Sequence, residues 1–160
     1  MQDRSSHASI IDTARFRSAP DGYMRLMSKA MVGEAETGEA LRFDAEALRD
    51  LRELVAREAA RAGMAENRIL DFVLAASEVG TNSVAHGGGS GSARVWREQE
   101  AVLLEVRDRG RFSNLPIPGA RPTPTQERGR GLWVADQLCD SMRIRSDAKG
   151  TSVQLQMSVA

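Results

Sequence analysis

The sequence predicts an α+β protein, a two-layer α/β sandwich with a mostly antiparallel sheet carrying helices on one face. Three observations point there. Segments 45–62 and 67–85 repeat apolar residues at the helical period. Segments 92–108 and 141–159 repeat them at every second position, as half-buried strands do. Between these strand pairs, residues 109–130 hold four prolines and three glycines, so no regular element persists there and the helices stay segregated from the sheet.

Residues 1–38 are polar and uneven and are expected to form a partly disordered or docking extension; residues 39–160 form the domain. Within the extension, 21–32 reads as a short helix that places Met24, Met27 and Met31 on one side. The domain opens with a short strand at Ala40 to Phe43. Asp44 is the expected N-cap of a helix from Ala45 to Ala62, whose buried stripe is Leu48, Leu51, Leu54 and Val55 and which Gly63 stops. A second helix runs from Asn67 to Ala85, with Ile69, Phe72, Val73, Ala76, Val79 and Val84 in one arc. Strands at Ser92 to Arg97 and Ala101 to Asp108 flank a turn at Glu98 to Glu100 and point Val95, Val102, Leu104 and Val106 inward. After the long loop, Gly131 to Leu138 resumes as helix. Ser141 to Ser146 and Thr151 to Val159 close the chain as a hairpin, with Ile144, Val153, Leu155 and Met157 toward the core.

Composition narrows the function classes. A chain of 160 residues buries roughly 70% of its unfolded surface, enough for one core. Its 22 basic and 22 acidic residues cancel, so no net field favours DNA or an anionic membrane. Cys139 is the single cysteine, which excludes an intramolecular disulfide framework and a zinc site built on paired cysteines. The apolar runs are too short to span a bilayer. A soluble, cytoplasmic protein is expected.

Four constellations carry chemistry. On the second helix Glu78, Asn82 and His86 recur at every fourth position, so they share a face, and Glu78 and Asn82 fall almost opposite the apolar arc. That is the ordinary place for a solvated face. Two details point elsewhere: Ala75, Ser77 and Thr81 beside them are small, and the helix ends in His-Gly-Gly-Gly, where a bare backbone permits close approach. Second, Asp108 ends a strand and is followed by Gly110; the carboxylate can accept from an exocyclic amine, and the glycine lets a flat ring lie on the backbone. Asp and Gly also make ordinary strand-end turns. Third, Glu127 to Trp133 is a glycine-rich junction opening a helix, where free N–H groups and the helix dipole suit phosphate oxygens. Six arginines lie between positions 107 and 130, although arginine outnumbers lysine twenty to two throughout the chain. Fourth, Lys149-Gly150-Thr151 enters the last strand and by itself is a hairpin turn.

In this order and spacing the four resemble the N, G1, G2 and G3 boxes of the ATPase superfamily that joins DNA gyrase, the large heat-shock chaperone, sensor histidine kinases and the mismatch-repair protein MutL (GHKL). The resemblance runs from about Glu39 to Met157, and in Ala76 to His86 it is nearest to the bacterial stand-alone anti-sigma factors that are serine-protein kinases. It implies a Bergerat fold, the histidine kinase-like ATPase architecture, binding ATP with Mg2+. By position it implies Glu78 as general base, Asn82 as the magnesium ligand, Asp108 as the acceptor for the adenine amine and Gly110 as its turn partner. Gly129 and Gly131 would hold phosphates, His86 and Leu132 would line the nucleotide, and Thr151 would reach the adenine through water. An arginine meeting the terminal phosphate is implied too; Arg128 and Arg130 both stand in place. One departure is Phe112, which occupies the position of the second glycine of the G1 box.

The resemblance implies a regulator that sequesters a sigma factor, phosphorylates serine or threonine of an anti-anti-sigma (STAS-type) partner and forms a homodimer, with no direct contact to DNA or membrane. Two alternatives keep the same fold: a nucleotide-binding anti-sigma protein without kinase activity, and the ATPase domain of a sensor histidine kinase. The latter needs a phosphoacceptor histidine on a helical hairpin, and the chain offers only His7 and His86. A purely structural interaction module leaves Glu78, Asn82, Asp108 and the glycines coincidental.

Overall fold

A computed structural model describes residues 9–12, 38–112, 123 and 129–160. Among them the elements follow in the order β1 (Ser9–Asp12), β2 (Glu39–Asp44), α1 (Leu48–Arg61), α2 (Glu66–His86), β3 (Ser90–Glu98), β4 (Ala101–Asp108), α3 (Arg130–Leu138), β5 (Ser141–Asp147) and β6 (Gly150–Ser158). The strands make one six-stranded sheet in the order β1-β5-β6-β4-β3-β2, and every pairing is antiparallel. The expected α/β sandwich with helices over one face is therefore what forms. The proposed helix at 21–32 and most of the loop at 109–130 lie outside the described residues.

Register explains the core. Residues directly opposite in antiparallel strands share a face, so Ala93, Val106, Val153 and Ile144 form one row across four strands. Val95, Leu104, Leu155 and Met142 form the next. All eight are buried, with Leu51, Leu54 and Val55 of α1 and Phe72, Ala76 and Val79 of α2 in the same cluster. The predicted inward positions of all four long strands belong to this core. A second consequence follows from the same period of two: Asp108, Thr151 and Ser146 continue the rows on the helix-facing side, as their polar end.

Three local features depart from the sequence expectation. First, helix α1 starts at Leu48 rather than Ala45, and Asp44 is not its N-cap; its Oδ1 instead accepts from the N–H groups of Glu46 and Ala47 at 3.0 and 3.1 Å, capping a turn that precedes the helix. The far end is as expected. Gly63, at φ +84°, donates to Ala60 O while Met64 donates to Ala59 O, the paired bonds of a Schellman stop, and Met64 is buried beside it. Second, β1 is an edge strand that no pattern in the sequence announces. Third, α2 carries Gly80 at its buried midpoint, where an added Cβ would stand 2.6 Å from Leu51 Cδ2. A glycine inside a helix costs up to about 1 kcal/mol, and here the bare backbone lets α1 and α2 approach.

A polar clasp holds the far end of the helical layer. Arg68 of α2 donates from Nη2 to Asp140 Oδ2 at 2.8 Å and from Nε to Ser158 O at 3.0 Å; Ser158 N–H donates to the same Asp140 oxygen at 2.6 Å. This ties the start of α2 to the α3–β5 connection and to the end of β6. Cys139 sits next to the clasp, and burial, reinforced by Asp140 and Asp136, pushes its thiol far above the usual range. It is a core group, protonated at neutral pH.

Candidate functional site

Helix α2 presents its polar face to the start of α3, not to bulk water. Built on Gly131, a Cβ would lie 2.7 Å from Glu78 Oε2, 3.5 Å from Glu78 Cβ and 3.6 Å from Asn82 Nδ2. Both side chains are half-buried. Position 131 therefore meets the two polar residues of α2 at van der Waals range, and only glycine leaves room between them and the α3 backbone. The approach needs small residues on both helices, as the sequence carries.

The start of α3 suits an anion. Gly129, in the left-handed region at φ +109°, is its N-cap, and no side chain caps the helix. Trp133 N–H closes the first turn on Gly129 O at 2.8 Å, so the N–H groups of Arg130, Gly131 and Leu132 precede the first intrahelical bond. Arg130 opens the helix and is exposed. Arg128 lies outside the described residues.

At the other end, Asp108 finishes β4. Its Oδ1 accepts from Gly110 N–H at 2.7 Å, an Asx turn that fixes the carboxylate and leaves Oδ2 beside Gly87. The contact is close: a Cβ on Gly87 would come within 2.5 Å of Oδ2, and one on Gly110 within 2.5 Å of His86 O. The first glycine after α2 is thus required by proximity, at a φ of −106° that any residue adopts. Arg109 N–H donates to Gly87 O at 3.3 Å and completes the joint between α2 and β4.

Thr151 is buried, and its hydroxyl donates to Gly110 O at 2.8 Å and lies 3.1 Å from Ser146 Oγ. Ser146 in turn accepts from Phe112 N–H at 3.1 Å. Three strand ends are thereby laced together under one turn.

Most of these groups border one cleft whose enclosed volume is about 20 Å³, little more than one water molecule. Asn82, His86, Asp108, Gly110, Gly129, Leu132 and Thr151, all expected from the sequence, line it. Glu78 and Gly131, also expected, are not among its lining residues; they face each other where α2 meets the start of α3. Val79 and Val153 supply an apolar wall, suited to a flat ring, and Phe112 stands where a glycine was expected. Three polar groups were missed: Ser83, which is buried in α2 and lines the cleft, Ser146, and Arg111, which also lines the cleft. A serine on a buried face carries no sequence signal of its own; the period of two from Ile144 to Ser146 would have placed the second.

The chemistry of these groups, though not the space now enclosed among them, matches a nucleotide. Asp108 Oδ2 provides an acceptor at one end, the α3 start without a side-chain cap provides N–H donors at the other, and the bare Gly131 backbone lies close against Glu78 and Asn82. Asn82 carries an amide, whose oxygen is a hard donor of the kind magnesium accepts. No helix among the described residues is long and apolar enough to cross a membrane.

Comparison with known proteins returned no match among curated proteins. The family model for the histidine kinase-like ATPase domain matches residues 41–157, which span β2 to β6 and every described cleft residue. The match, the layered fold and the cleft agree, and the chain belongs to the histidine kinase-like ATPase domain family, within the GHKL superfamily.

Proposed function

We propose that the chain is an ATP-binding anti-sigma regulator: it sequesters a sigma factor and transfers phosphate from ATP to serine or threonine of an anti-anti-sigma partner, acting as a homodimer. One observation carries the transfer reading. The Glu78 carboxylate faces Gly131 at the start of α3, within one helical turn of Asn82. A carboxylate there has a use that adenine binding alone does not give it. The likeness of residues 76–86 to the stand-alone anti-sigma kinases supports the choice of partners.

Each residue then has a task. Asp108 accepts from the base amine, and Gly110 holds that carboxylate in position by its N–H. The N–H groups at the start of α3 and the positive end of its dipole receive phosphate oxygens, with Arg130 adding charge nearby. Asn82 would hold magnesium, which when bound offsets phosphate charge. Glu78 accepts the proton of the partner hydroxyl as its oxygen bonds to the terminal phosphorus; the bond from that phosphorus to the bridging oxygen breaks and ADP leaves.

Incubation with terminally labelled ATP and candidate anti-anti-sigma proteins tests the proposal. Label on a partner serine or threonine is expected, with a loss of 100-fold or more for Glu78→Gln while ADP binding persists. Equal rates for Glu78→Gln and the parent would remove the base assignment. ATP-dependent retention of a sigma factor with no label transfer would favour a sequestering protein without kinase activity, and label on the chain's own histidine a sensor kinase.

A further inference from the structure

Phe112 lines the cleft. Its backbone is fixed by the lacing already described: Phe112 N–H to Ser146 Oγ, Ser146 to Thr151, and Thr151 to Gly110 O. The ring is half-buried, packs against the apolar core and lines the cleft together with Leu132, Val79 and Val153. The space enclosed among these walls holds little more than one water molecule. A purine is a fused bicycle many times that size. Asp108, which fixes where an amine-bearing base must end, borders the same space.

We propose that the Phe112 ring and the nucleotide base compete for one volume, so that binding requires a change of the Phe112 rotamer and this residue sets nucleotide affinity. The inference rests on reading the cleft as a nucleotide site. Because the backbone at 110–112 is held by hydrogen bonds to β5 and β6, the adjustment falls on the side chain. The cost appears as an affinity penalty equal to the fraction of molecules with the ring displaced: if one in ten is open, apparent affinity falls about tenfold.

Titration calorimetry of the full chain with Mg-ADP, on the parent, Phe112→Ala and Phe112→Leu, decides the matter. Phe112→Ala should bind about tenfold tighter, with Phe112→Leu in between, and stopped-flow should place the gain in the association rate. Leucine preserves apolar contact with the core, so it carries the test if the alanine variant unfolds. Weaker binding by the variants would overturn the proposal, because the ring would then stack on the base. Unchanged affinity would overturn it as well. If the parent binds Mg-ADP and the variants bind no tighter, only this inference fails; if none of the three binds, the reading of the cleft fails with it.

Discussion

An alanine at position 131 would bring its Cβ to 2.7 Å from Glu78 Oε2, well inside the 3.4 Å at which ordinary contact begins. The carboxylate is the end of a flexible side chain, so it swings away, at a rotamer cost of about 0.5–1.5 kcal/mol. Against this, alanine in place of glycine within a helix contributes up to about 1 kcal/mol. The two nearly cancel, and at a few degrees per kcal/mol for a chain of this size the melting temperature should move by less than about 4 °C. Function should not cancel. If Glu78 is the base proposed above, a displacement of about 1 Å costs on the order of 100-fold in rate. The measurement is a pair: thermal unfolding, and transfer from labelled ATP to the partner. Gly131→Ala is expected to keep its stability and lose about 100-fold in transfer. A variant equally stable and equally active would refute the claim that Glu78 works from this position.

Three further expectations follow. Asp108→Asn retains an oxygen for the Gly110 N–H but can turn its amide toward the base, so preference for ATP over GTP in competition binding should fall, and an unchanged preference counts against the assigned acceptor. Phe72 is fully buried in α2, and Phe72→Ala should cost about 3–5 kcal/mol in urea unfolding; a loss below 1 kcal/mol would contradict its place in the core. Cys139 has its thiol pKa raised by burial, so the unfolded chain ionises first as pH rises. That contribution is fully present below about pH 9 and is lost above it, where the unfolded state binds fewer protons. Urea unfolding at pH 8 and pH 10.5 should show a decline that Cys139→Ala reduces.

The sequence was most legible where one face of an element is apolar. In 101–108 and 151–157 the alternation fixed the core side, and Asp108 and Thr151 came with it because they keep the same parity as Val106 and Val153. In α2 the helical period found the apolar arc and set Glu78 and Asn82 outside it. Whether that side met water or another element was not a property of α2. It is decided by α3, some fifty residues away, through a glycine contact that no local pattern encodes. The start of α1 was misplaced for a related reason: Asp44 is a good cap in either setting, and the structure uses it on the preceding turn. β1 was invisible because four residues are too few to establish a period.

Strand β1 lies outside the region that the family model matches, and this bears on how the protein is cut for study. A fragment trimmed to residues 41–157 would strip the outermost strand from the sheet and leave the backbone donors and acceptors of β5 along Arg143 to Ser146 without their neighbour. An uncovered edge of that kind recruits strands from other molecules. Fibrous or swapped material from such a fragment would then be a product of the trimming, and its assembly state would be no guide to that of the whole chain.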